Sequence, residues 1–128
     1  MKYIADTVSI IRFLFQKNKL GKKALKIYQN SQKGSFKIGI PIIVLVELMY
    51  LSQKKRIDLD FKNFVKSIKK SSNYKIIGLT EEIIILASKL KIRELHDCLI
   101  ASTAYYYNLP LITCDKEITE HKKIKTIW

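Results

Sequence analysis

Leu95-His96-Asp97-Cys98-Leu99-Ile100-Ala101-Ser102-Thr103-Ala104-Tyr105-Tyr106-Tyr107-Asn108-Leu109-Pro110-Leu111-Ile112-Thr113-Cys114-Asp115 is the stretch on which the fold turns. A helical run from His96 or Asp97 to Tyr107 is stopped by Asn108 and Pro110. Leu111 to Thr113 then reads as a short buried strand, and Asp115 opens a loop or helical turn reaching Thr119. A helix feeding an apolar strand, with an acid just beyond the strand, is one unit of an alternating α/β chain.

Working outward, the same alternation recurs. Lys2 to Ala5 reads as a strand, followed by Asp6-Thr7 as capping residues and a helix over Ser9 to Phe15. Gly21 opens a second helix whose apolar side is Ala24, Leu25, Ile27 and Tyr28, and Gly34-Ser35 ends it. Lys37 to Ile40 is a brief strand, and Pro41 suits the first position of a helix running to about Lys54. Asp58 to Lys70 carries a helical stripe of Leu59, Phe61, Phe64, Val65 and Ile68. Lys75 to Leu79 is a strand, and Thr80-Glu81-Glu82 starts the next helix, with acids at the positive end of its dipole. Ile124 to Trp128 is the last strand. Short strands separated by helices predict an α/β fold with a parallel sheet covered on both faces.

The 128 residues suffice for one core, and four glycines with two prolines leave little for a linker, so residues 1–128 are expected to form a single domain. The balance of 24 Lys+Arg against 11 Asp+Glu, net +13, favours a polyanionic partner through phosphate contacts. A lysine-rich composition that serves solubility alone is the plainer alternative. Asp6 interrupts the first apolar stretch, so no secretory signal is expected. The apolar run Ile42 to Leu51 is broken by Glu47 and is shorter than the roughly 20 residues of a membrane span, so no membrane association is expected. Cys98 and Cys114 lack metal-ligand spacing and read as two small buried thiols in a reducing cytoplasm.

Four acids have surroundings unlike those of solvated charges. Asp6 and Asp115 each follow an apolar strand, and in parallel α/β sheets ligands bind at the carboxyl ends of strands; for each, a helix or turn cap is the competing reading. Glu47 sits in Ile42-Ile43-Val44-Leu45-Val46-Glu47-Leu48-Met49-Tyr50-Leu51, a helix apolar almost all round and so expected to be buried on most faces. An ionised carboxylate there is costly unless paired or metal-bound; a lysine ion pair or an outward-facing edge is the alternative. Asp97 begins an apolar helix and could also be its cap. Asp58, Asp60, Glu81, Glu82, Glu94, Glu117 and Glu120 stand in polar neighbourhoods and read as surface or capping acids.

Gathered carboxylates raise one another's pKa unless a cation intervenes. Mg²⁺ or Mn²⁺ prefers such oxygen ligands together with water. Two such ions roughly 3.5–4 Å apart can activate water and stabilise the leaving oxygen in phosphodiester cleavage. An acidic pit in a basic surface therefore suits a nuclease.

Tyr3-Ile4-Ala5-Asp6-Thr7, Val46-Glu47-Leu48, Leu95 to Ala104 leading to Leu109-Pro110-Leu111-Ile112-Thr113-Cys114-Asp115, and the ending Ile124 to Trp128 together resemble, in order and over nearly the whole chain, a PIN domain (the PilT N-terminus-like nuclease fold), particularly the VapC-like toxins of toxin–antitoxin pairs. The resemblance implies an α/β/α sandwich with a central parallel sheet and a Mg²⁺- or Mn²⁺-dependent endoribonuclease. It implies Asp6, Glu47 and Asp97 as core metal-binding acids, Asp115 as the fourth, and Thr113 as a hydroxyl orienting a ligand or water, with Thr7 a weaker candidate for a similar role. It further implies RNA as substrate, a homodimer and a small antitoxin partner. His96 reads as a metal ligand or base, or as a packed or surface histidine; Tyr105-Tyr106-Tyr107 as a base-stacking surface, or as core and dimer contacts. The competing function is a non-catalytic basic RNA-binding module. A phosphoacceptor role for Asp6 is disfavoured by Thr7-Val8, which lacks a second aspartate two residues on.

Overall fold

A computed structural model describes residues 1–128. Strands and helices alternate as β1 (Tyr3–Ala5), α1 (Thr7–Phe15), α2 (Lys22–Gln32), β2 (Ile38–Pro41), α3 (Ile42–Gln53), α4 (Phe61–Lys70), β3 (Tyr74–Ile77), α5 (Glu81–Lys89), α6 (Leu95–Tyr107), β4 (Leu111–Ile112), α7 (Lys116–Thr119) and β5 (Thr126–Ile127), with one 3-10 turn at Lys17–Lys19. Most helices start where a short polar side chain accepts an otherwise orphaned amide: Asp6 from Ser9 N, Asp60 from Asn63 N, Thr80 from Ile83 N, Glu94 from Asp97 N and Asp115 from Ile118 N. α6 ends on Asn108 in the left-handed conformation (φ 53°), two residues before Pro110. Pro41, expected as the first residue of α3, is instead the last residue of β2 and the cap position before the helix. It pairs with Ile77 in the sheet, and its fixed φ serves an extended residue as well as a helical one.

All four strand pairings are parallel, in the order β3-β2-β1-β4-β5. Each parallel connection must cross a face of the sheet. The chain steps one way from β1 through β2 to β3, then returns past β1 to β4 and β5, so right-handed crossovers place α1–α4 on one face and α5–α7 on the other. Within the faces α1 touches α2 and α3, α3 touches α4, and α5 packs on α6, while α3 also meets α6 from the other face. The result is the α/β/α sandwich. Its core joins the central strand residues Ile4, Ile38, Ile40, Leu111 and Ile112 to Ile10, Tyr28, Val44, Leu48, Ile100 and Ala104 from the covering helices.

Two expectations are corrected. α3 is not buried on most faces: Val44, Leu45 and Leu48 face inward, whereas Ile42, Val46, Met49 and Tyr50 are 37–49% exposed. An apolar sequence does not report its own coverage, and only one side of α3 has neighbours. Cys98 is buried, as expected, but Cys114 is exposed because it lies just past the end of β4, at the rim of the sheet. No helix is long and apolar enough to cross a membrane.

Candidate active site

The sheet reverses direction between β1 and β4, the position at which open parallel sheets form a ligand crevice at their carboxyl edge. Register then decides which side chains meet there. Ala5 pairs with Ile112, and Asp6 N donates to Ile112 O at 3.3 Å, so Asp6 emerges beside Thr113. Residues more than a hundred positions apart thus become neighbours at the crevice.

Asp6 is buried and caps α1, with Oδ1 accepting from Ser9 N at 2.7 Å. Ser9 is itself enclosed: its hydroxyl donates to Asp6 O at 3.0 Å and shares a 2.7 Å hydrogen bond with the buried Tyr28, whose ring stacks on Phe13. Burial raises the pKa of Asp6, partly offset by hydrogen bonds from Thr113 and Ser9 and reinforced by the charge of Asp115. The buried Thr113 hydroxyl also accepts the Asp115 amide at 3.1 Å. Asp115 caps α7 through Oδ1, accepting from Ile118 N at 2.9 Å, which leaves its second oxygen free. The capping alternatives for Asp6 and Asp115 therefore hold, yet each carboxylate has an oxygen to spare.

For Asp97 the capping alternative fails. Glu94 caps α6, accepting the Asp97 amide at 2.6 Å, and Asp97 is the third residue of the helix, within its first turn. Its pKa is pushed up to about 6, first by burial and then by the charges of Asp115, Glu94, Glu47 and Asp6. Asp97 thus senses all three other acids singled out from the sequence. Glu94, read from sequence as an ordinary acid, belongs to this neighbourhood; its position three residues before Asp97, at a helix start, was the available signal. Glu94 also holds His96 Nδ1 at 2.8 Å, a bond that raises the histidine's pKa, and His96 faces Glu47 and Asp97 electrostatically. His96 is therefore neither core nor an isolated surface residue.

Glu47 is half-buried and accepts the Thr7 hydroxyl at 2.5 Å. The lysine ion pair considered for it is absent; the ion pairs present are Arg93–Glu117 and Glu94–His96. Thr7 thus orients an acid, Glu47, where the sequence had suggested it, more weakly than Thr113, for orienting a ligand or water.

Asp97 and Asp115 share one groove of about 760 Å³, lined also by Lys91, Arg93, Glu94 and Lys116. Glu47 opens on an adjoining hollow with His96 and Arg56. The structure draws the four acids into one electrostatic cluster, but no three His, Cys, Asp or Glu side chains stand close enough to enclose a metal ion as a group. The tyrosines Tyr105, Tyr106 and Tyr107 lie at the other end of α6 and are partly exposed, Tyr106 and Tyr107 in an edge-on pair. That end leads into the start of β4, opposite the crevice, so they are neither core residues nor a stacking wall for the acidic groove.

No curated protein matches the sequence. Solved structures are similar in fold: VapBC2 from Rickettsia felis bound to a promoter DNA fragment (TM-score 0.75, 23% identity, covering 100% of this chain and 99% of that chain) and a toxin–antitoxin complex from Klebsiella pneumoniae (0.68, 21%, 99% and 97%). FitAcB from Neisseria gonorrhoeae is similar too (0.67, 15%, 98% and 96%). The profile of the PIN domain matches residues 3–124, and with nearly the whole chain matched, the protein belongs to the PIN domain family.

Proposed function

We propose that the protein is a Mg²⁺- or Mn²⁺-dependent endoribonuclease of the cytoplasm, acting as the toxin of a toxin–antitoxin pair. The observation that carries this reading is Asp97, whose pKa of about 6 reflects burial and the charges of Asp115, Glu94, Glu47 and Asp6 at the switch point of a parallel sheet. Mutual repulsion of this kind is what a divalent cation relieves. The donors fit: all are carboxylate oxygens, and Mg²⁺ commonly keeps several waters while taking only one or two carboxylates, so a pair such as Asp97 and Asp115 suffices without a closed cage. When bound, the cation supplies charge neutralisation at the scissile phosphate and lowers the pKa of an attacking water.

The remaining tasks fall to the chain's own residues. Asp97 and Asp115 would hold the cation from the groove, with Asp6 and Glu47 completing its negative surroundings. The Ser9 amide and Thr113 fix Asp6, and Thr7 fixes Glu47. Lys91, Arg93 and Lys116 border the groove and hold RNA phosphates beside it. An antitoxin partner is supported by the similarity to toxin–antitoxin complexes, and the exposed apolar residues of α3 are surface that a second copy or an antitoxin would cover.

Incubating purified protein with transfer and ribosomal RNAs, with and without Mn²⁺, tests the reading. Cation-dependent cleavage that is lost in Asp97→Asn is the expected outcome. Salt-sensitive RNA binding with no cleavage, no cation requirement and no response to the acids would instead establish a non-catalytic binding module.

A further inference from the structure

Asp115 lines the acidic groove, whereas its neighbours Thr113 and Cys114 line a second hollow of about 450 Å³ toward β5. The two differ in charge. The acidic groove mixes carboxylates with lysines; the second hollow, walled by Lys23, Thr119, Thr126, Ile127 and Trp128, has no Asp or Glu side chain in its lining. At its rim stands Arg12, with Nη1 3.6 Å from Cys114 Sγ and 3.2 Å from Lys19 O, and its guanidinium 5.4 Å over the Trp128 ring. Arg12 has no acidic partner, so most of its five donors are unspent. Gly21 packs closely against Trp128: a Cβ there would lie 2.6 Å from the indole Cδ1. An unpaired arginine, a lysine, two threonine hydroxyls and an indole beside an acidic centre match the phosphate, sugar and base of a nucleotide.

We propose that this hollow is a subsite for single-stranded RNA, in which Arg12 and Lys23 hold a phosphate adjoining the one cleaved and Trp128 walls its nucleotide. The assignment rests on the ribonuclease reading of the acids. Cys114 in this hollow and Asp115 in the acidic groove are consecutive residues, so a strand with its scissile phosphate in the groove passes close to the hollow, which governs substrate affinity and not the chemical step.

The test uses full-length Asp97→Asn protein, which holds RNA without cutting it, and an unstructured fluorescent oligoribonucleotide. Trp128 is the sole tryptophan, so its emission reports on this hollow alone. Binding is expected to quench it. Arg12→Ala in the same background is expected to weaken binding about tenfold and to reduce the slope of log K against log salt by about 0.7, the signature of one lost phosphate contact to a single strand. Arg12→Lys should retain the slope, and the exposed Lys23→Ala, which leaves the fold untouched, should lower it. Lys66→Ala on α4, against the opposite sheet edge, is the reference and should change neither reading. Binding without quenching, an unchanged slope in both Arg12→Ala and Lys23→Ala, or an equal effect from Lys66→Ala overturns the subsite while leaving the nuclease reading intact. Equal quenching by polyaspartate also overturns it, in favour of an acidic peptide. Failure of Asp97→Asn to bind RNA, with no cleavage by the unaltered protein, sinks both.

Discussion

Replacing Asp97 with Asn is expected to stabilise the metal-free protein while removing its activity. In the folded chain the Asp97 pKa stands at about 6 against an ordinary 3.8, because burial and four neighbouring acids disfavour its charge. Between those values the folded state holds a proton that the unfolded state has released. Stability from this group is therefore complete below about pH 4, falls as pH rises through the interval, and is lost above pH 6. The full interval corresponds to about 3 kcal/mol. Asp97 is only half-buried, however, and solvent screening reduces the realised cost to about 1 kcal/mol. Asn keeps the shape without the charge, so at pH 8 the variant should melt about 3–6 °C higher than the parent in chelator, with the gap closing near pH 4. Mn²⁺ should raise the melting temperature of the parent more than that of the variant, since the parent alone has this repulsion to relieve. Calorimetry over pH 4–8 decides it. A variant that melts lower at pH 8, or a gap independent of pH, would refute the claim that Asp97 sits in a field of like charges.

Tyr28→Phe removes the hydroxyl shared with Ser9 but leaves Ser9 bonded to Asp6 O, so it should cost about 1 kcal/mol by denaturant unfolding; a loss above about 3 kcal/mol would mean that the ring, not the hydrogen bond, is disturbed. Thr113→Val keeps the volume but strands the Asp115 amide and removes a donor from Asp6, and is expected to cost about 1–3 kcal/mol and to raise the Asp6 pKa further, measurable by carboxyl NMR titration. Thr7→Val frees Glu47 from its hydrogen bond; we expect cleavage to fall about tenfold or more with the fold unchanged, and full activity would show that Thr7 does not position Glu47. Gly21→Ala forces a Cβ into Trp128 and should lower stability by about 1–3 kcal/mol, read from unfolding midpoints.

Much of the architecture was legible because its causes are local. The helix starts after Asp6 and Thr80 follow from short polar side chains preceding apolar periodicity, and Asn108 with Pro110 stops α6 by its own backbone preferences, whereas the stripe read from Asp58 begins as a helix only after Asp60. The alternation of short apolar runs with helices implied parallel strands, since such strands need crossovers. Asp6 and Asp115 were marked by following strands. Misreadings arose where burial was inferred from composition: α3 is apolar on all sides yet covered on one, and Cys114 lies outside the layers. Glu94 was passed over because its role depends on Asp97, which its own polar surroundings do not reveal.

The sequence by itself determined the order of strands and helices, the family pattern and the candidate acids, all properties of windows a few residues wide. Tertiary structure alone decided that β1 lies between β2 and β4, so that Ala5 meets Ile112 and Asp6 meets Thr113. It decided that Glu47 answers to Thr7 and not to a lysine, and that Arg12 rests over Trp128 beside the acids. These pairings join residues 40 to 116 positions apart. They are set by sheet register and by packing of whole layers, which no short stretch of sequence encodes.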